Sequence, residues 1–139
     1  MTASPAKLYT AQVLELAISL ASVLHDPEMS LQGRARSQSC GSTLAMSLRT
    51  DAKGAITDIG IAAQACAIGQ ASAALFVGSA IGKKREQIAA MSAGIESWLS
   101  GSSEMPNWPG LAALAEARHF PARHGAMMLP WRAALDALP

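Results

Sequence analysis

Residues 43–63 read Thr43-Leu44-Ala45-Met46-Ser47-Leu48-Arg49-Thr50-Asp51-Ala52-Lys53-Gly54-Ala55-Ile56-Thr57-Asp58-Ile59-Gly60-Ile61-Ala62-Ala63. Over residues 43–49, Leu44, Met46 and Leu48 point one way and Thr43, Ala45, Ser47 and Arg49 the other. That period of two is the signature of a strand with one buried face. Residues 50–54 form a turn in which Gly54 supplies permissive backbone geometry. Residues 55–63 return as a second strand, so the stretch reads as a β-hairpin.

Working outward, residues 31–39 alternate weakly, with Arg34, Arg36 and Gln38 on one side. They read as an edge strand with a polar exposed face, which would complete a three-stranded antiparallel meander. Cys40-Gly41 is a natural bend between it and the hairpin. Upstream, residues 8–24 carry apolar side chains at helical spacing and stop at His25-Asp26-Pro27, because proline disfavours helical geometry in the residue before it. Downstream, the period changes. Ile68, Ala71, Leu75 and Gly78 suit a tightly packed helix of small residues, and residues 83–99 form another helix. Residues 101–110, with Pro106 and Pro109, are a loop; residues 111–117 are a short helix, and residues 126–138 a final one. Strands gathered together and helices gathered after them mean α+β, with helices on one face of a small sheet.

The chain has 139 residues, which fits one domain over 1–139 with a sizeable core. Half of it is apolar, yet it holds only two Phe, three Trp and one Tyr, so aliphatic side chains must build most of the core. The formal net charge of +1 offers no basic excess for nucleic acid. Residues 59–81 carry no charged side chain, but Gln64, Gln70 and the strand-like start suit buried interior better than a membrane span. The N-terminal stretch lacks the pattern of a targeting signal, and a cytoplasmic location without membrane attachment is expected.

Two cysteines exclude a disulfide-rich scaffold and a self-contained four-cysteine site. Cys40 follows the first strand, and Cys66 sits where the third strand gives way to a helix, so both can lie at one rim of the sheet. A helix N-terminus favours a thiolate at Cys66; each cysteine also fits as a small apolar core residue. His119 and His124 lie in the basic stretch 118–124, which suits a solvated loop, and Trp131 suits a core anchor. Ser37, Ser39 and Ser42 have no paired histidine and acid at a telling spacing, and residues 78–84 lack the phosphate-loop pattern.

Cys40-Gly41-Ser42, then Ala65-Cys66-Ala67-Ile68-Gly69-Gln70-Ala71-Ser72-Ala73, then Phe120-Pro121-Ala122-Arg123 through Leu129-Pro130-Trp131 resemble the IscU/SufU/NifU-type iron–sulfur cluster assembly scaffolds, the SufU branch in particular. The family patterns are C-G-D, G-C-A-I-S-Q-A-S-A and F-P-A-R-I-K-C-A-T-L-x-W. The resemblance implies an α+β fold of the SufE/NifU-like class, with three cysteines and an aspartate converging at one end of the sheet to hold a nascent cluster or a zinc ion. Carried over, the cysteines are Cys40 and Cys66, the aspartate position is Ser42, and the third cysteine position is Ala126, preceded by Gly125. Two of the four ligands are missing, and His124 is the nearest substitute.

Clusters and structural zinc each call for four ligands. Tight zinc binding is therefore not expected, and any iron–sulfur cluster should be transient. Three readings follow from the resemblance. One is a scaffold that holds a cluster weakly, or across a homodimer through Cys40 and Cys66 of each copy. The second is a metal-independent persulfide acceptor or transferase served by a cysteine desulfurase and passing sulfur towards apo iron–sulfur acceptor proteins. The third is an interaction module without cluster chemistry.

Overall fold

The computed structural model describes residues 5–139, with side chains from Lys7 onward. In chain order the elements are α1 (Pro5–Leu8), α2 (Ala11–Ser19), β1 (Leu31–Arg36), β2 (Thr43–Thr50), β3 (Ile56–Gln64), α3 (Ala67–Ala80), α4 (Arg85–Leu99) and α5 (His124–Ala137). Short 3-10 segments occupy Leu20–Ser22, Leu111–His119 and Pro121–Arg123. The strands form an antiparallel sheet in the order β1-β2-β3. This is the expected α+β meander with its helices on one face.

Leu44, Met46 and Leu48 are fully buried on the inner face of β2. Removing each from water contributes roughly 1.5–3 kcal/mol. α5 packs across β1 and β2, and α3 packs between α2 and α5. Gly33 makes the first contact possible, because a Cβ there would run into the carbonyl of Ala133 on α5. Ser72 on α3 donates to the Met127 carbonyl of α5 at 2.6 Å, joining two helices through a small side chain. Phe76, Trp108 and Trp131 fill the centre; their ring centroids lie 5.4–5.8 Å apart. Trp131 is the core anchor its position suggested.

Several boundaries differ from the sequence reading. The first helix is broken: Thr10 caps a new start by accepting the Val13 N–H at 3.2 Å, and α2 ends at Ser19. Leu14 and Leu24 on the apolar pattern are exposed, because a segment apolar nearly all round cannot bury every side. β1 stops at Arg36 rather than residue 39, since Ser37 and Ser42 pair to close a turn.

Ser47 faces away from the helices yet is fully buried. The segment after α2 crosses the outer sheet face there. Leu24 bridges to Ile61, the Asp26 N–H donates to Ser47 Oγ at 3.0 Å, and Arg49 pairs with Asp26 at 3.9 Å. Gly60 lets this segment pass, because a Cβ at 60 would collide with the Leu24 carbonyl. The outer face is therefore covered in its middle and open towards the end where β1 and β3 finish. Among the described residues, no helix is long and apolar enough to cross a membrane.

Candidate functional site

The turn from β1 to β2 carries Cys40 at its tip. The Ser37 N–H donates to the Ser42 carbonyl at 2.8 Å, and the Gly41 N–H to the Ser37 carbonyl at 2.9 Å. Gly41 has φ +70, a left-handed backbone that L side chains rarely adopt. The closed turn leaves Cys40 exposed while burying Ser37 and Ser42 beneath it. Cys40 Sγ stands 3.1 Å from Ser42 Oγ and 3.3 Å from Ser37 Oγ.

Those hydroxyls can donate to the sulfur once it ionises. Ser37 above all, then the Ser42 hydroxyl and the Ser42 backbone, hold the Cys40 thiol below its ordinary range. Partial burial works against them, and the Arg123 guanidinium adds a smaller pull downward. A hydrogen bond or positive charge that meets the ionised form stabilises that form. The Arg123 guanidinium is itself held above its ordinary range chiefly by Tyr9, with smaller contributions from Cys66 and Cys40, so both thiols lie near this one cation. Its Nε donates to the Tyr9 hydroxyl at 3.2 Å, and Ser39 donates to the Ala122 carbonyl at 3.0 Å, tying the cysteine turn to the Pro121–Arg123 segment.

Cys66 is half-buried at the N-cap of α3, with φ −65 and ψ 170. Its carbonyl accepts the Gln70 N–H at 3.0 Å, the first bond of the helix. Ala126 is fully buried in the first turn of α5 and faces Gly69 of α3, where a Cβ would stand 3.5 Å from Ala126 Cβ. Gly125 abuts the cysteine turn: a Cβ there would lie 2.5 Å from Ser37 Oγ. Ser42, Cys40, Arg123, Ala126 and Cys66 thus belong to one neighbourhood at the start of α3 and α5. His124 is turned elsewhere, its Nε2–H donating to the Ala117 carbonyl at 3.0 Å.

The sequence alone does not mark Arg123 or Tyr9 as site residues, and it shows Ser37 only as a serine without a catalytic partner. Arg123 sits in the quoted Phe-Pro-Ala-Arg motif, which was the available signal. Nothing local marks Tyr9, which reaches Arg123 across 114 positions of chain.

The residue set does not fit a metal held by one chain. Among the described residues, no three His, Cys, Asp or Glu side chains come together. The site offers two thiols, the Ser42 hydroxyl and the Ala126 methyl, with a guanidinium beside them. A dication wants anionic donors, and here a hydroxyl and a methyl stand in two of the four ligand places.

The family described as NifU-like N terminal domain matches residues 19–113. This chain belongs to that family. Among solved structures, the chain is similar to a nitrogen-fixing NifU-like protein (N-terminal) from Brucella abortus, at 24% identity and a TM-score of 0.86, over 96% of this chain and 93% of that one. It is also similar to a putative iron–sulfur cluster assembly scaffold protein for the SUF system from Fervidobacterium islandicum AW-1, at 21% identity and a TM-score of 0.85, over 98% of this chain and all of that one. No curated protein matches the chain. The family match stops before the third motif, so the NifU-like assignment stands on the sheet, the cysteine turn and α3.

Proposed function

We propose that this NifU-like chain serves iron–sulfur cluster assembly as a scaffold-type protein, and that its working chemistry is sulfur acceptance on Cys40 without a resident metal. Family membership and the fold shared with a cluster-assembly scaffold support the process. The single observation behind the chemistry is the exposed Cys40 thiol held low by Ser37 and Ser42 in a neighbourhood short of metal ligands.

The Cys40 thiolate attacks the outer sulfur of a persulfide carried by a donor, for which a cysteine desulfurase is the fitting source. A new S–S bond forms at Cys40 while the donor's own S–S bond breaks, and the donor leaves as a thiolate. Cys40 then carries the transferred sulfur as a persulfide. No electrons enter or leave, so no oxidant or reductant is needed. Ser37 and Ser42 favour the ionised form of the attacking sulfur, and Arg123 favours the negative charge that the persulfide retains. In a second exchange a thiolate of an iron–sulfur acceptor protein attacks that outer sulfur; its own S–S bond forms as the one at Cys40 breaks, and Cys40 leaves as a thiolate.

The test is persulfide transfer to the wild type, Cys40→Ala and Cys66→Ala. Loss in Cys40→Ala with retention in Cys66→Ala is expected. Full transfer to Cys40→Ala would remove Cys40 from the role.

A further inference from the structure

The crossing segment at Leu24–Asp26 leaves the half of the outer sheet face nearest Cys40 uncovered. There the register aligns Arg34 with Ala45 and Ala62, and Arg36 with Thr43 and Gln64. These side chains line an open groove of about 630 Å³. Its floor of alanines lets another backbone approach closely. Its β1 edge presents two exposed arginines.

Among the described residues, neither Arg34 nor Arg36 forms an ion pair. No acidic residue lines the groove. Asp136 lies near its border, but its carboxylate accepts the backbone N–H of Arg34 at 2.8 Å rather than pairing with the guanidinium. Arginines presented by a sheet edge and left without counter-charges suit carboxylates arriving from outside. Two of them are too few for a nucleic-acid backbone, and the chain as a whole is near neutral.

The strands that line the groove end at the thiol site. β1 ends at Arg36, four positions before Cys40; β2 begins directly after Ser42; and β3 ends at Gln64, two before Cys66. A protein lying on this face therefore has its neighbouring surface at Cys40. We infer that this open half-face is the docking surface for an acidic segment of the protein that donates sulfur to Cys40. The inference rests on the sulfur-accepting reading of Cys40.

The experiment compares two donors, a cysteine desulfurase supplied with cysteine and the small molecule glutathione persulfide. Acceptors are the wild type, Arg34→Glu/Arg36→Glu, Arg34→Lys/Arg36→Lys, and Lys53→Glu/Lys84→Glu, whose lysines border a pocket near the hairpin turn instead. Circular dichroism checks that each is folded. The reversed-arginine variant should lose about tenfold or more in kcat/KM with the desulfurase at low salt, since like-charge juxtaposition slows encounter and disfavours the complex. Rising salt should narrow that gap, because it screens exposed charges. Glutathione persulfide should load that variant as it loads the wild type. The lysine pair should keep most of the desulfurase rate, and the Lys53/Lys84 control all of it.

A reversed-arginine variant as fast as wild type with the desulfurase overturns the inference. So does equal loss with both donors, which would put the lesion at the thiol. If the wild type accepts sulfur from glutathione persulfide but not from the desulfurase, the Cys40 reading stands and the docking inference falls. Acceptance from neither donor defeats the Cys40 reading itself.

Discussion

Ser42 Oγ lies 3.1 Å from Cys40 Sγ, at the position where the NifU-like pattern carries an aspartate. The exchange alters what the neighbour does to the sulfur. An aspartate brings a negative charge that helps a metal and opposes a bare thiolate. A serine hydroxyl brings a donor that favours the thiolate with no metal present. Ser37, fully buried below the same turn, adds a second hydroxyl.

Removing these hydroxyls should therefore move the Cys40 thiol upward. In Ser37→Ala and Ser42→Ala, iodoacetamide alkylation of Cys40 should become half-maximal at higher pH than in the wild type. The rate should fall in the window between the two thiol ionisations and stay equal well above both. Ser37→Ala should shift it more than Arg123→Gln, because the Ser37 hydrogen bond is the largest influence and the Arg123 charge a smaller one. An unchanged pH profile in Ser37→Ala with Ser42→Ala combined would contradict this account.

Gly125 occupies the place of a long polar residue in the family pattern, and the turn has closed onto it. A Cβ at 125 would stand 2.5 Å from Ser37 Oγ and 3.3 Å from Ser37 Cβ. Gly125→Ala should lower stability by about 1–3 kcal/mol, the usual cost of overpacking, read as a drop in denaturant midpoint. Ser37→Ala in the same chain should recover part of the loss, because the two sites share one contact and will not be additive. Additive effects would mean that residue 125 strains something other than Ser37.

Restoring the missing ligands tests the metal argument. Ser42→Asp with Ala126→Cys recreates a Cys–Asp–Cys–Cys set, and Gly69 leaves room beside residue 126. Zinc that binds only the folded protein should raise its stability by about 2.7 kcal/mol at free zinc 100 times the dissociation constant. Thermal melts with and without zinc measure this, and the wild type should move little. Without zinc, Ser42→Asp alone should push the Cys40 thiol up by like-charge repulsion. A folded double variant with no zinc-dependent shift would mean that residue 126 does not share the site.

The strands were legible because one face of the sheet is buried and the other largely is not. Leu44, Met46 and Leu48 therefore print a period of two on the sequence. Cys66 at the head of α3 was legible from the change of period. Ser47 was not, since a polar residue on the outward phase of a strand looks exposed until Asp26 arrives from 21 positions away to donate to it. β1 ran too long in the sequence reading because Ser37 continues its alternation, while the turn bonds to Ser42 remove it from the ladder. In the site, the thiols and the lost ligands could be counted from motifs. The hydroxyls around Cys40 could not be told from ordinary loop serines, and the Arg123–Tyr9 contact depends on tertiary packing.

The most direct measurement is the number of sulfur atoms that Cys40 accepts from glutathione persulfide, by mass spectrometry of the intact protein and its cysteine peptides. It is made on chelator-treated protein with and without zinc added back. The account predicts one added sulfur on the Cys40 peptide in both samples, to the same extent. Loading that appears only when zinc is restored, or that falls on Cys66 and leaves Cys40 untouched, would contradict it.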